Sequence, residues 1–176
     1  FPSASLGWTI SNEQFMKDLT WIDHLKLRAG FGVTGVIPTS NYLSMTKWVL
    51  GNVYYYDNGT WKQGLAVDQN PNPDLKWEKS TEYNVGIDWS VLGNRFSGTI
   101  DVYRKNTSDM LWEYTVPSPP NLVNHTLANV GKMRNQGIEI AVTGVPVKSH
   151  HFEWSTTMTF AYNANKLLSF FNDLYE

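Results

Sequence analysis

The chain has 176 residues, with 14 basic and 16 acidic side chains, a net charge of -2 and no cysteine. That balance excludes an electrostatic nucleic-acid binder, which carries a basic surplus, and the lack of cysteine excludes a disulfide framework, a thiolate metal site and a cysteine nucleophile. Charged residues make up 17% and aromatic residues 14%, with 8 Trp and 9 Tyr, a mixture that suits a membrane barrel with aromatic girdles or a secreted sugar-binding module.

No run approaches ~18 consecutive apolar residues, so no helical membrane span is expected. No signal peptide stands at the start. Both ends, Phe1-Pro2-Ser3 and Asp173-Leu174-Tyr175-Glu176, read as cuts through something longer.

In chain order, Ala4, Leu6, Trp8 and Ile10 alternate with polar or small residues and predict a first strand. The segment from Asn12 to His24 predicts a turn with a helical stretch, capped by Ser11 with Gln14 three residues on. Leu25, Leu27, Ala29, Phe31 and Val33 predict a second strand, whose other face carries Lys26, Arg28, Gly30 and Gly32. The residues from Thr34 to Lys76 predict a long loop containing Trp48, Tyr54, Tyr55, Tyr56 and Trp61.

The clearest strand follows. From Tyr83 to Val91 every odd position is apolar or aromatic, and from Glu82 to Ser90 every even position is polar or glycine. Its apolar row, Tyr83, Val85, Ile87 and Trp89, suits lipid, while Glu82 and Asp88 lie on the wet face. The run matches the roughly 9–11 residues with which a tilted strand crosses a bilayer. Gly93-Asn94 predicts a two-residue hairpin turn. That register sets Trp89 over Gly98, so that the indole covers the missing side chain. Phe96 to Val102, Ile138 to Val142 and Phe152 to Tyr162 alternate in the same way and place Asp101, Glu139 and Glu153 on the polar side. Pro117 to Arg134 predicts a second long loop, and Val145 to His150 a short link.

About six antiparallel strands with alternating short turns and long loops predict an all-β, up-and-down transmembrane barrel segment. Six strands cannot close, so the wall must belong to a larger barrel. Its polar lumen would be lined by Lys26, Arg28, Glu82, Asp88, Asp101, Glu139 and Glu153, with Arg28 beside Asp88. A glycosidase-like carboxylate pair is the sharper reading of these acids. A hydrophilic lumen with basic counter-charges is the better one.

The remaining candidates are weaker. His24, His125, His150 and His151 lack metal-ligand spacing. Asp68 to Asp74 is oxygen-rich but lacks the glycine and terminal glutamate of a calcium loop, and its Asn-Pro repeats read as turn formers. Asn58-Gly59-Thr60, Asn106-Thr107-Ser108 and Asn124-His125-Thr126 fit the N-x-[ST] pattern without consequence. Tyr54, Tyr55, Tyr56 and Trp61 are candidate substrate-stacking aromatics, with packing inside the loop the favoured reading. No phosphate loop, nucleophile elbow or zinc-helix motif occurs.

Several blocks resemble the SusC/RagA-type TonB-dependent outer-membrane transporters of Bacteroidetes-like bacteria. They are Phe1 to Trp8 with Glu13-Gln14-Phe15, Leu25 to Gly32 with Thr34-Gly35, Asn72 to Gly86, Asp101-Val102-Tyr103 with Asp109-Met110-Leu111, and Asn129 to Glu139. The resemblance implies that residues 1–176 are a late-middle part of a C-terminal barrel of about 22 strands, with the plug domain, the energy-coupling segment and the final strands absent. It further implies a non-enzymatic importer of oligosaccharide or peptide in the bacterial outer membrane. Its partners would be a SusD-like lipoprotein and a TonB complex, with no cofactor. The alternative is a secreted soluble β-sandwich that binds glycans, which needs the Tyr83 row buried against a second sheet.

Overall fold

In the computed structural model, residues 1–38 and 40–170 are described; Asp173 to Glu176, read above as a cut end, lie outside them. Eight strands form: β1 (Ser3–Thr9), β2 (Ile22–Val36), β3 (Lys47–Asp57), β4 (Thr60–Gln69), β5 (Glu78–Val91), β6 (Phe96–Thr115), β7 (His125–Lys148) and β8 (Glu153–Ser169). Six of them make one sheet in the order β1-β2-β5-β6-β7-β8, and β3 and β4 make a two-stranded sheet. The six strands expected from alternation are these six. Consecutive members are neighbours, except that the β3–β4 hairpin is inserted between β2 and β5.

The chain divides into two compact units. One comprises 1–34, 80–107 and 133–167; the other comprises 35–79, 108–132 and 168–176. In the first, β1 runs antiparallel to β2, from Ser3 opposite Gly32 to Thr9 opposite Lys26. The expected β5–β6 register also holds. A Cβ built at Gly98 would lie 2.9 Å from the Trp89 ring, and the Ser80 and Thr107 hydroxyls meet at 3.0 Å. Trp89 therefore does cover Gly98.

This sheet has almost no core. Among the described residues the buried apolar side chains are Val33, Val116, Ala128 and Val130. Tyr83, Val85 and Ile87 are 51%, 50% and 37% exposed. The sandwich alternative required that row to be buried, so it falls.

Four expectations are corrected. The Asn12–His24 region forms two short 3-10 turns, Ile10–Asn12 and Gln14–Met16, and neither has a side-chain cap. Instead the Trp8 Nε1–H donates to Glu13 at 2.9 Å, which fastens the turn from the indole side. The Gly93-Asn94 turn extends over Leu92–Arg95, with positive φ at Leu92, Gly93 and Asn94. The backbone N–H of Asn94 is held by Asp23 at 2.8 Å and that of Leu92 by the Trp21 carbonyl at 2.9 Å.

The third correction concerns strand length. β6 has 20 residues and β7 has 24, so the Pro117–Arg134 loop shrinks to 116–124. At the other end Val145–Lys148 is strand, and the tight link is Ser149–Phe152. Polar residues on both faces erase the period-two signal there, yet the ladder continues because its backbone partners are in place. Finally, the Thr34–Lys76 loop contains the β3–β4 hairpin. Its turn is Asn58-Gly59, at φ 49° and 86°, the conformation that a two-residue hairpin turn demands. The same dipeptide reads in the sequence as part of an N-x-[ST] pattern.

Candidate functional site on the charged face of the sheet

Arg28 on β2 reaches across two strands. Its Nε and Nη2 donate to the two carboxylate oxygens of Asp88 on β5, both at 2.8 Å. The same Nη2 donates to Asp101 on β6 at 3.0 and 3.2 Å. Asp88 is taken in a fork, the geometry that suits a planar guanidinium. Arg28 therefore lies beside Asp88, as expected, and the structure adds Asp101.

Gly86 makes this possible. A Cβ there would collide with the Asp101 carboxylate and sit 2.8 Å from Arg28 Nη2. The missing side chain leaves a flat spot on β5 over which the guanidinium and carboxylate close. In the sequence Gly86 is only one more even position in the polar row. Its role depends on which residues lie across from it, so alternation alone does not reveal it.

The other charged candidates are spread out. Lys26 lies over Gly7, its Cε 3.3 Å from where a Cβ would be. Glu82 is exposed and, with Asn84, Lys26 and Arg28, borders an open groove of about 630 Å³ along β1, β2 and β5. Glu139 is exposed on β7. Glu153 pairs with Lys148 at 3.4 Å beside the β7–β8 turn and takes no part in the Arg28 cluster. The expected general counter-charge thus narrows to one arginine for two aspartates. Asp88 and Asp101 share that one cation, which accounts for both as structural counter-ions.

The four aromatic candidates do not form one cluster. They stand on strands, where neighbours point to opposite faces. Tyr56 is opposite Trp61 and Tyr55 is opposite Lys62. Only Tyr56 and Trp61 meet, with ring centroids 5.3 Å apart at 60°. Both rings are more than half exposed, at 64% and 70%.

The Asp68–Asp74 segment is stitched by side-chain amides. The Asn70 Nδ2 donates to the carbonyls of Val123 and His125, both at 2.7 Å. Its Oδ1 accepts from the backbone of Leu122 at 3.0 Å and Val123 at 3.1 Å. Asn70 is 3% exposed, so all four bonds are shielded. Asn72 donates to the Leu127 carbonyl at 2.9 Å, and Asn129 joins the backbones of Lys76 and Asp109. The turn-former reading of these asparagines misses this use. Among the described residues no cluster of three His, Cys, Asp or Glu side chains could hold a metal ion. His125 is engaged by the Asp68 carbonyl at 2.7 Å.

Comparison with known proteins matches this architecture. The family described as "TonB dependent receptor-like, beta-barrel" matches residues 1–175. The TonB-dependent receptor P39 of Formosa agariphila is 36% identical over 96% of this chain and 16% of its own length. The TonB-dependent receptor SusC of Bacteroides thetaiotaomicron is 32% identical over 95% of this chain and 17% of its own length. Among solved structures, the RagAB peptide transporter superposes with a TM-score of 0.81 at 27% identity, covering 98% of this chain and 18% of that one. The chain thus spans about a sixth of the length of these relatives. Its open antiparallel sheet is part of a barrel wall, and the chain belongs to the TonB-dependent receptor β-barrel family.

Proposed function

We propose that this chain is a section of the wall of an outer-membrane importer. The charged face lines the lumen and the row Tyr83, Val85, Ile87 and Trp89 faces lipid. The observation that supports this best is the segregation of the two faces. Arg28, Asp88 and Asp101 share one side of the sheet, while Tyr83, Val85 and Ile87 stand exposed on the other. Water has no use for an uncovered apolar row, and lipid has none for an ionic cluster.

The cargo in this reading is an oligomer, either peptide or oligosaccharide. A peptide is favoured by the likeness to the RagAB peptide transporter. The Tyr56–Trp61 pair offers an exposed stacking surface to either class. The partners are a SusD-like surface lipoprotein and a TonB energy-coupling complex, both engaged by the full-length protein. Uptake tests the reading. Cells carrying the full-length protein should accumulate labelled oligopeptide or oligosaccharide, and dissipating the inner-membrane proton gradient should stop them. Accumulation that survives that treatment would overturn the energised-import reading in favour of a passive pore.

A further inference from the structure

The lipid-directed face has a charge pattern of its own. Ser80 and Thr107 meet on the Arg28 side of the sheet, and a Cβ on Gly137 would be 2.7 Å from the Tyr103 hydroxyl. Thr107 and Tyr103 therefore point inward, so Arg104 and Asn106, which alternate with them, point outward. Arg134 Nε donates to Asn106 at 3.1 Å and shares that outward face. On β8, Thr157 meets Thr143 on the inward side at 2.9 Å. That places Trp154, Met158, Phe160, Tyr162 and, further along, Lys166 outward.

Three cations on three adjacent strands, Arg104, Arg134 and Lys166, thus follow the apolar stretch at its end remote from the short turns. Tyr83 on β5 and Tyr162 on β8 stand at the same border, and Arg104 lines a shallow depression with both of them. From Phe96 to Arg104 the strand rises ~27 Å at ~3.4 Å per residue. At the usual tilt of ~40° that is ~21 Å of height, and the long cationic side chains reach the border of an apolar band ~25 Å tall by snorkelling.

No salt bridge reaches any of the three among the described residues. The carboxylates Glu82, Asp88, Asp101, Glu139 and Glu153 all occupy inward positions of their strands, and Asp23 is engaged at the turn end by Asn94. A generic wall would snorkel scattered charges at both borders. Here one border of the outward face holds three cations that no salt bridge joins to an acid among the described residues.

We infer that Arg104, Arg134 and Lys166 form a docking band for the anionic phosphate headgroups of bilayer lipid, seated while the acyl chains lie along Tyr83, Val102 and Tyr162. The inference rests on the lipid-facing reading above. Guanidinium and ammonium groups supply the donors that phosphate oxygens accept. The chemistry fits a phosphate ester, and the apolar surface running on from the cations selects the lipid-borne form.

Native mass spectrometry of the full-length protein in nonionic detergent, offered mixed micelles of phosphatidylcholine and phosphatidic acid, tests this. The wild type should retain phosphatidic acid preferentially. Arg104→Gln should lower that retention about fivefold, and the combination with Arg134→Gln and Lys166→Gln on the order of a hundredfold. Arg104→Lys should keep it. Arg104 is exposed, so its single variant is readable if the triple variant does not fold. Unchanged retention in the variants would overturn the docking band. Displacement of phosphatidic acid from the wild type by inorganic phosphate at the same concentration would also overturn it, in favour of a simple anion site. A spin label at Val102→Cys separates the lipid-facing row from the docking band. Preferential contact with oxygen over a water-soluble nickel chelate upholds the lipid-facing row whatever the retention shows, and the reverse removes the row and the band together.

Discussion

The wall strands and the segments around 68–76 and 122–129 are held together in opposite ways. In the wall, backbone ladders carry the structure, side chains sort by face, and one ionic cluster crosses three strands. In the other region, asparagine side chains bond to backbone groups far away in sequence: Asn70 to residues 122–125, Asn72 to Leu127 and Asn129 to Lys76. A repeating strand satisfies its own polar groups through its neighbour. The irregular stretches 70–77 and 116–124 have no such neighbour and recruit side-chain amides, in part against the first residues of β7. A change in the wall should therefore be felt through which face it stands on, and a change in the stitched region through the backbone groups it strands.

The sharpest test of the wall is Ile87→Lys. A charge in mid-row should cost ~2–4 kcal/mol near the bilayer midplane, read as a lower denaturant midpoint for the full-length protein in vesicles. Glu82→Lys on the opposite face should leave that midpoint within about 0.5 kcal/mol. Equal effects would erase the distinction between faces.

Asn70→Ala tests the stitched region. It leaves two N–H groups and two carbonyls without their partner in a shielded place, at about 1–3 kcal/mol for an unsatisfied buried group. Amide exchange at Leu122 and Val123 should accelerate at least tenfold while the Tyr83–Trp89 amides stay protected. Acceleration in both regions would show that the two are not independently held.

Gly86→Ala should wedge Arg28 from Asp101. The ionic side chains are 39%, 27% and 32% exposed, so solvent screening limits the electrostatic loss to about 1 kcal/mol. Exchanging the charges, Arg28→Asp with Asp88→Arg, should recover part of the loss caused by either change alone. A double-mutant cycle with no coupling would remove the pair from the account.

The smallest effect is expected at the hairpin. Tyr56→Ala should destabilise β3–β4 by about 0.5–1 kcal/mol through loss of the Trp61 contact. Tyr55→Ala, opposite Lys62, should cost less. The local exchange rates of the hairpin amides measure both.

Alternation determined the six wall strands and which of their side chains share a face, the turn at Gly93-Asn94 added the β5–β6 register, and strand order with that register gave the nearness of Arg28 to Asp88. Period two is a property of the strand itself and is written residue by residue, so Tyr83 to Trp89 and Glu82 to Ser90 announce their sides before any partner is known. Four things were decided only in three dimensions. They are the Asp101 arm of the ionic cluster, the gap at Gly86, the Asn70 clamp and the continuation of β6 and β7 past the apolar stretch. Each depends on a residue distant in sequence and near in space. Sequence determines what each strand can offer, and tertiary structure decides which neighbour takes it.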